Sequence, residues 1–305
     1  MNPKSLSRLL LLAAIWGGSF LFMRVSAPVL GAIPTAFGRV ALGALGLLGL
    51  LAAMRVPLRF SGRFKVVVAL GSITSGVPFL MYSLAAQVLP AGYSSVLNAT
   101  TPLMGVIVGA SFFGEQITLK KLAGVALGLG GVFVLTETGP VAMNAATLMG
   151  VAACLVATLC YGFAGYLTKR LISNHGDIDN RVVAFGSQLG AVLTLAPFMA
   201  WQAYSAPVAW TQAGADVWLS MLALGLVCTS FAYILFFRLI AEVGALSTLT
   251  VTFLIPLFGV FWGWLLLHEH LSLGYALGGG MIGAALWLVL KPAAVKAREL
   301  APRAD

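Results

Sequence analysis

The sequence is poor in charge, and especially in acidic side chains. Asp, Glu, Lys and Arg make up 9% of its 305 residues, nine residues are acidic, and 60% are apolar. A water-soluble chain of this composition would expose large apolar patches. The composition therefore excludes an ordinary soluble domain and indicates a chain whose solvent is lipid.

Acidic residues are also missing from the middle of the apolar runs. Glu115, Glu137, Glu242 and Glu269 all lie near the ends of runs. A carboxylate at membrane depth is the usual mark of a proton relay or a cation site. The pattern therefore argues against carboxylate-based proton coupling and against a cation pump. The sequence also has no Gly-x-x-x-x-Gly-Lys phosphate loop, so ATP drive would need a partner protein.

Cysteine and histidine are scarce and do not cluster in a metal-binding pattern. The three cysteines fall inside apolar runs, where small packing residues are expected; they are Cys154, Cys160 and Cys228. His268 and His270 flank Glu269, but residues two apart point to different sides of a helix, and no third ligand lies nearby. We expect no metal ion and no cofactor.

What the chain does have is ten apolar runs of about 20 residues, the length that crosses a bilayer as a helix. The predicted spans, numbered 1 to 10, are 8–26, 32–54, 64–87, 92–113, 119–137, 147–168, 180–200, 214–238, 243–266 and 272–290. The first resembles a signal peptide, but nine spans follow it, so we interpret it as an uncleaved helix. The predicted fold class is an all-α membrane protein with ten transmembrane helices.

All but two of the 18 basic residues lie in alternate connections or in the tail. By the positive-inside rule, both termini are predicted to be cytoplasmic, and the net charge of +9 does not imply nucleic acid. The exceptions are Arg24 and Arg39, near the outer ends of spans 1 and 2. We expect both side chains to reach for the membrane interface, and the alternative is that they hold a substrate carboxylate near the outer mouth.

The two halves of the chain repeat one another. A shift of 154 residues places Pro102 on Pro256, Gly105 on Gly259 and Glu115 on Glu269, and a shift of 145 places Trp16-Gly17 on Tyr161-Gly162. The chain is therefore predicted to form two five-helix repeats, 1–144 and 145–305. Because five is odd, the repeats have inverted topology, which is typical of a transporter with a site near the midplane.

The Pro-x-x-Gly motifs of spans 4 and 9 are the predicted hinges. Pro102 and Pro256 each remove a backbone donor and tend to kink a helix, while Gly105 and Gly259 permit close helix contact. The alternative is that these residues serve packing alone, since Pro and Gly are common in membrane helices.

Polar and aromatic side chains recur at helical spacing on six spans. The predicted substrate-binding residues are Trp16, Ser75, Phe79, Tyr82, Ser94, Asn98, Thr101, Tyr161, Thr229, Tyr233, Thr248 and Thr252. Together they predict a neutral, aromatic, weakly polar pocket for an apolar or aromatic side chain with a small polar end. The alternative for each residue is a hydroxyl bonded to its own backbone or a ring that only packs.

The whole chain resembles the drug/metabolite transporter superfamily in its ten-helix EamA-like form. The similarity lies in "AAIWGGSF" of span 1, in the two Pro-x-x-Gly helices, and in "TSFAYILFFRLIAEVGALSTLTVTFLIPLFGVFWGWLLLHE" of the second half. The resemblance implies a bacterial inner-membrane protein with a central cavity lined by helices 1, 3, 4, 6, 8 and 9. It is strongest to bacterial exporters of amino acids, including aromatic ones, and of related metabolites.

These observations favour a secondary transporter that exports small neutral or zwitterionic metabolites, amino acids among them, by alternating access. A carrier of other metabolites or drugs in the same fold remains an alternative. An intramembrane enzyme would need reactive Ser, His or Asp groups together at membrane depth, and a sensor would need a soluble output segment, which the basic tail 291–305 is too short to provide. The expected partners are a small-molecule substrate and the lipid bilayer, and the oligomeric state stays open.

Overall fold

A computed structural model describes residues 2–172, 178–206, 208, 210–244, 248 and 250–290. Over these residues the chain forms ten helical spans. They are α1 (Pro3–Leu30), α2 (Ala32–Ala53), α3 (Phe64–Val88), α4 (Ala91–Phe112), α5 (Leu119–Thr138), α6 (Ala145–Leu171), α7 (Asn180–Ser205), α8 (Ala215–Val243), α9 (Val251–Leu267) and α10 (Leu273–Leu290). The predicted basic tail, 291–305, lies outside the described residues, as do 245–247 and 249 of predicted span 9.

Helices α1 to α8 are long and apolar enough to cross a membrane, and α9 and α10 are shorter apolar helices. The predicted all-α, ten-helix membrane fold is confirmed. Helix α1 is longer than predicted at both ends. It begins at Pro3 because the side chain of Asn2 caps it by accepting from the Ser5 amide at 2.8 Å, and it continues past Pro28 to Leu30.

Three segments depart from regular α-helix. Ser72–Gly76 in α3 and Ala223–Phe231 in α8 form π-helical turns, which the sequence did not predict. Helix α4 breaks between Asn98 and Thr101, close to where an interruption was expected. Pro102 follows the break in the first turn of the second half, where a missing amide hydrogen does no harm.

No break accompanies Pro256 in α9. Helix α9 runs from Val251 to Leu267 with Pro256 inside it, and among the described residues the chain is non-helical before it, at Thr250. A proline in a helix interior removes one hydrogen bond, but the neighbouring turns can hold the helix together when packing supports them. The two Pro-x-x-Gly motifs therefore share a sequence pattern without sharing one local backbone.

Helix pairing follows a twofold pattern in which each helix of the first five has a counterpart five places later. Helix α1 packs on α9 as α6 packs on α4; α2 packs on α8 as α7 packs on α3; and α3 packs on α6 as α8 packs on α1. The remaining large contacts join counterparts: α2 with α7, α4 with α9, and α5 with α10. This is the pairing that two five-helix repeats would give, although the repeat boundaries stay a prediction.

Glycines set the distance between the paired helices. A Cβ placed on Gly17 of α1 would lie 2.9 Å from the amide nitrogen of Gly259 in α9. At the equivalent position, a Cβ on Gly162 of α6 would lie 3.2 Å from the amide nitrogen of Gly105 in α4. The backbones of α1 and α9, and of α6 and α4, therefore touch at points where side chains do not fit.

Glu269, which follows α9, holds the N-terminus of α4. Its carboxylate accepts hydrogen bonds from the amides of Ala91 at 2.6 Å and Gly92 at 3.1 Å. A helix N-terminus presents unpaired amides and a partial positive charge, so a carboxylate there is favourable. Glu269 was predicted to end α9; it also joins α9 to α4. Its counterpart Glu115 faces Lys121 at 3.6 Å.

Arg24 contacts the end of α3, and its predicted reach to the membrane interface stays a prediction. Its Nη1 donates to the carbonyl oxygens of Ala86 at 2.8 Å and Gln87 at 3.0 Å in the last turn of α3. Carbonyls at the end of a helix have no partner within the helix, and a cation there also meets the negative end of the helix dipole. The role of Arg24 is therefore to cap α3.

The Gly17 contact predicts a large effect of one added methyl group. We expect Gly17→Ala to lower the free energy of unfolding by about 1–3 kcal/mol, because its Cβ meets backbone atoms of α9 that cannot move aside. Gly49→Ala in α2 is the matched control, since its Cβ would have no atom within 4 Å. Melting of the two purified variants in detergent checks this, and equal melting temperatures would contradict it.

The carboxylate of Glu269 is predicted to stabilise the contact between α9 and α4. We expect Glu269→Ala to cost about 1–3 kcal/mol, because two amides lose a charged acceptor. Glu137, which is exposed at the end of α5, provides the control variant Glu137→Ala, for which we expect a change below about 0.5 kcal/mol. Thermal melting measures both, and a Glu269→Ala protein as stable as the parent would refute the role.

Candidate functional site

Helices of the bundle line a partly open cavity of about 320 Å³. Seven aromatic side chains line it; they are Trp16, Phe20, Phe79, Tyr82, Tyr161, Tyr233 and Phe236. Apart from the tyrosine hydroxyls and the Cys228 thiol, the neutral polar groups of the wall are small; they are Ser19, Thr74, Asn98, Thr101 and Thr252. A cavity of this size and character suits one small molecule that is largely apolar.

Eight of the twelve predicted binding residues line this cavity. They are Trp16, Phe79, Tyr82, Asn98, Thr101, Tyr161, Tyr233 and Thr252. They come from the six helices that the family resemblance implied, α1, α3, α4, α6, α8 and α9. Their contact with a substrate remains a prediction, but the structure brings them to one place.

The other four predicted residues are hydroxyls buried outside the cavity wall. Ser75 accepts a hydrogen bond from Nε2 of Gln188 in α7 at 2.9 Å, and Thr248 donates to the Gly244 carbonyl at 2.9 Å. Ser94 is buried, and Thr229 donates to the Leu224 carbonyl at 2.8 Å. Helical spacing placed them on helices that line the cavity, but these hydroxyls do not line it, and serine and threonine in helices commonly bond to backbone.

Asn98 lines the cavity at the break in α4. Its Oδ1 accepts a hydrogen bond from the hydroxyl of Tyr82 at 2.8 Å, and its carbonyl accepts one from Oγ1 of Thr101 at 2.7 Å. The Tyr82 ring packs edge-on against Phe20, with centroids 5.3 Å apart, and lies 6.3 Å from the ring of Tyr161. These contacts hold the polar side chain of Asn98 in place among the aromatic rings of the wall.

Arg39 of α2 also lines the cavity, which corrects the expectation that it reaches the membrane interface. Only 5% of the residue is exposed, and the guanidinium lies 3.7 Å above the ring centre of Phe79. Its Nε donates to Oγ1 of Thr229 at 3.3 Å, and Nη1 lies 3.5 Å from the sulfur of Met23. The wall of a pocket that was predicted to be neutral therefore contains a positive charge. Helix α2 is a seventh helix that lines this pocket.

Close contact between α2 and α8 places Arg39 beside Thr229. A Cβ on Gly43 of α2 would lie 2.7 Å from Cγ2 of Thr229, and one on Gly225 of α8 would lie 3.3 Å from the Arg39 carbonyl oxygen. Thr229 belongs to the π-helical turn of α8, and its hydroxyl donates to the carbonyl of Leu224, five residues back. The same hydroxyl oxygen is thereby oriented to accept from Nε of Arg39.

Several lining residues were missed although helical spacing points to them. Ser19, Phe20 and Met23 follow Trp16 at three, four and seven positions, and Phe236 follows Tyr233 at three. These are the same-face spacings of a helix, so extending the pattern would have found them. Arg39 gives no such signal, because its neighbours in α2 do not line the cavity.

The chain was compared with known proteins. The sequence model of the EamA-like transporter family matches residues 4–137 and again residues 148–291. An uncharacterized transporter of Bacillus subtilis is 25% identical over 275 residues, which are 90% of this chain and 92% of that protein. A probable amino-acid metabolite efflux pump of Escherichia coli is 24% identical over 286 residues, 92% of each chain.

A probable terminal-alkyne amino-acid exporter of Streptantibioticus cattleyicolor is 28% identical over 197 residues, which are 65% of this chain and 63% of that protein. A solved crystal structure superposes with a TM-score of 0.62 over 95% of this chain and 97% of its own, at 16% identity, and shows a shared fold. The resemblance to the drug/metabolite transporter superfamily is confirmed. Because the family model covers nearly all of both halves, this chain belongs to the EamA-like transporter family.

Proposed function

We infer that this transporter exports small neutral or zwitterionic metabolites, including amino acids with apolar and aromatic side chains. The observation that carries the proposal is the aromatic cavity of about 320 Å³ at the centre of the bundle. Aromatic faces bind apolar and aromatic side chains, while Asn98, Thr101 and Thr252 offer hydrogen bonds to a small polar end. Relatives described as a probable amino-acid metabolite efflux pump and a probable terminal-alkyne amino-acid exporter support this substrate class.

The proposed mechanism is alternating access between two repeats, 1–144 and 145–305, of inverted topology. The helix pairs α1–α9 and α6–α4 support it, because equivalent glycines meet equivalent backbone atoms in both. We place the protein in a bacterial inner membrane with both termini in the cytoplasm, as the distribution of basic residues favours. Substrate then moves through the central cavity while one repeat rocks against the other.

The proposed hinges are the Pro102–Gly105 and Pro256–Gly259 segments, each of which packs closely on one side and borders open space on another. The break of α4 stands directly before Pro102, and a Cβ on Gly105 would meet no atom within 4 Å. Pro256 borders a second, apolar cavity of about 460 Å³ that lies among α4, α9 and α10. Empty space beside α9 lets the helix change its path without overlapping α10.

Counterflow in proteoliposomes tests the transport function. We expect vesicles loaded with unlabelled phenylalanine to accumulate labelled phenylalanine saturably, without ATP, and other apolar amino acids to compete. Ala164→Phe should abolish this accumulation because Ala164 lines the cavity, whereas Ala152→Phe on the exposed side of α6 should retain it. Accumulation no greater than in protein-free vesicles, for every amino acid tried, would overturn amino-acid transport.

The hinge proposal makes a separate prediction. Pro102→Ala supplies an amide that can extend α4 across its break, and Pro256→Ala supplies one that stiffens α9. We therefore expect each to slow counterflow while leaving substrate binding in detergent nearly unchanged. Pro197→Ala in α7 is the control, since this proline is also inside a helix but is exposed on the outside of the bundle. Rates equal to that of the parent protein in both hinge variants would show that the prolines serve packing alone.

A further inference from the structure

Arg39 carries the one charge in the cavity wall among the described residues. No lining residue in that part of the chain is Asp or Glu, and the recorded ion pairs of the described residues involve other basic residues. A buried charge without a counter-ion is costly in an apolar setting. Within the described residues, the positive charge of Arg39 therefore has no counter-ion until an anion enters the cavity.

The guanidinium is held so that part of its donor set stays available. Phe79 covers one face of the guanidinium, and Nε donates to the hydroxyl of Thr229. Among the described residues, Nη1 meets only the weak acceptor sulfur of Met23, and none accepts a hydrogen bond from Nη2. A planar guanidinium with free N–H groups matches the two oxygens of a carboxylate, which it can bind through parallel hydrogen bonds.

The wall has no equivalent group for an ammonium ion. A positive amino group would meet ring faces and the neutral oxygens of Asn98, Thr101 and Thr252, but no carboxylate among the described lining residues. Ring faces attract cations only moderately. With Arg39 counted, a bound monocarboxylate leaves the site neutral, whereas a bound zwitterion leaves it with one positive charge.

We propose that Arg39 binds the carboxylate of the transported molecule, and that the site selects small monocarboxylates with an apolar or aromatic side chain. The carboxylate is required and the amino group is not. This inference rests on the proposed function, since it names the substrate class of the same cavity. It widens that class from amino acids to their analogues without an amino group, and it excludes amines and amino alcohols.

Two analogues of phenylalanine separate the groups in the unaltered protein. 3-Phenylpropionate keeps the carboxylate and lacks the ammonium, whereas phenylalaninol keeps the ammonium and lacks the carboxylate. In competition with labelled phenylalanine during counterflow, we expect 3-phenylpropionate to inhibit at least as well as phenylalanine. Phenylalaninol should inhibit roughly 10- to 100-fold more weakly, the effect of losing a charged hydrogen-bonded pair. Equal inhibition by phenylalaninol and phenylalanine would overturn the proposal.

Variants then test whether Arg39 causes the preference for 3-phenylpropionate over phenylalaninol. We expect Arg39→Gln to reduce the ratio of the inhibition constants of phenylalaninol and 3-phenylpropionate to near one. Arg39→Lys should keep part of this ratio, because lysine retains the charge without the planar fork. Arg24→Gln is the matched control, since Arg24 caps α3 and does not line the cavity. If Arg39→Gln does not accumulate, Thr229→Val tests the same point, and we expect it to reduce the ratio severalfold. An unchanged ratio in the variants that fold would contradict the role of Arg39.

A binding measurement keeps this inference separate from the transport proposal. The melting temperature of the detergent-purified protein is measured with 3-phenylpropionate, phenylalanine and phenylalaninol, each at the same concentration. Stabilisation by the two carboxylates but not by phenylalaninol, lost in Arg39→Gln, supports the carboxylate site even if no amino acid is transported. Stabilisation by phenylalaninol alone, or by none of the three, overturns the carboxylate site even if counterflow of phenylalanine is found.

Discussion

The structure depends on one constraint: inside a membrane, backbone amides and carbonyls must find partners without help from lipid. The π-helical turns of α3 and α8 and the break of α4 border the cavity, through Thr74, Cys228 and Asn98. In the π-helical turn of α8, the hydroxyls of Thr229 and Ser230 donate to the carbonyls of Leu224 and Gly225, five residues back, at 2.8 and 3.0 Å. Irregular backbone is thus placed where side chains or water can satisfy it, and π-helical turns of this kind are frequent at functional sites.

The same constraint explains why glycine and the aromatic residues appear side by side. Regular helices can approach one another only where side chains are absent, and Gly17 and Gly162 provide those contacts with α9 and α4. The residues just before them, Trp16 and Tyr161, are turned about 100° around the helix and line the cavity. One short sequence therefore fixes both the helix contact and the cavity wall, and it does so once in each half of the chain.

Much of this arrangement was predictable because it depends on composition and periodicity. Hydropathy located all ten spans, and the two copies of the Trp/Tyr-Gly and Pro-x-x-Gly motifs pointed to the helices that line the cavity. Ser75, Ser94, Thr229 and Thr248 do not line the cavity although their spacing fits, because helical spacing identifies a face but not the neighbour it meets. The side chain of Arg39 was expected at the membrane interface because its depth along α2, about 10 Å from the start of the helix, does not show which way it points. Only its contacts with Phe79 and Thr229 show that it turns inwards. The π-helical turns have no residue pattern of their own.

The contacts of Arg39 also explain how a charge can stay in the wall when no ligand is bound. A guanidinium is planar and weakly hydrated, so it can rest on the face of Phe79 and donate in its own plane to Thr229 at the same time. Both contacts are made by the protein itself, without a ligand. A lysine at this position would present a compact, strongly hydrated point charge that gains little from either neighbour. The wall therefore lowers the cost of the charge without neutralising it, which leaves its attraction available to an incoming anion.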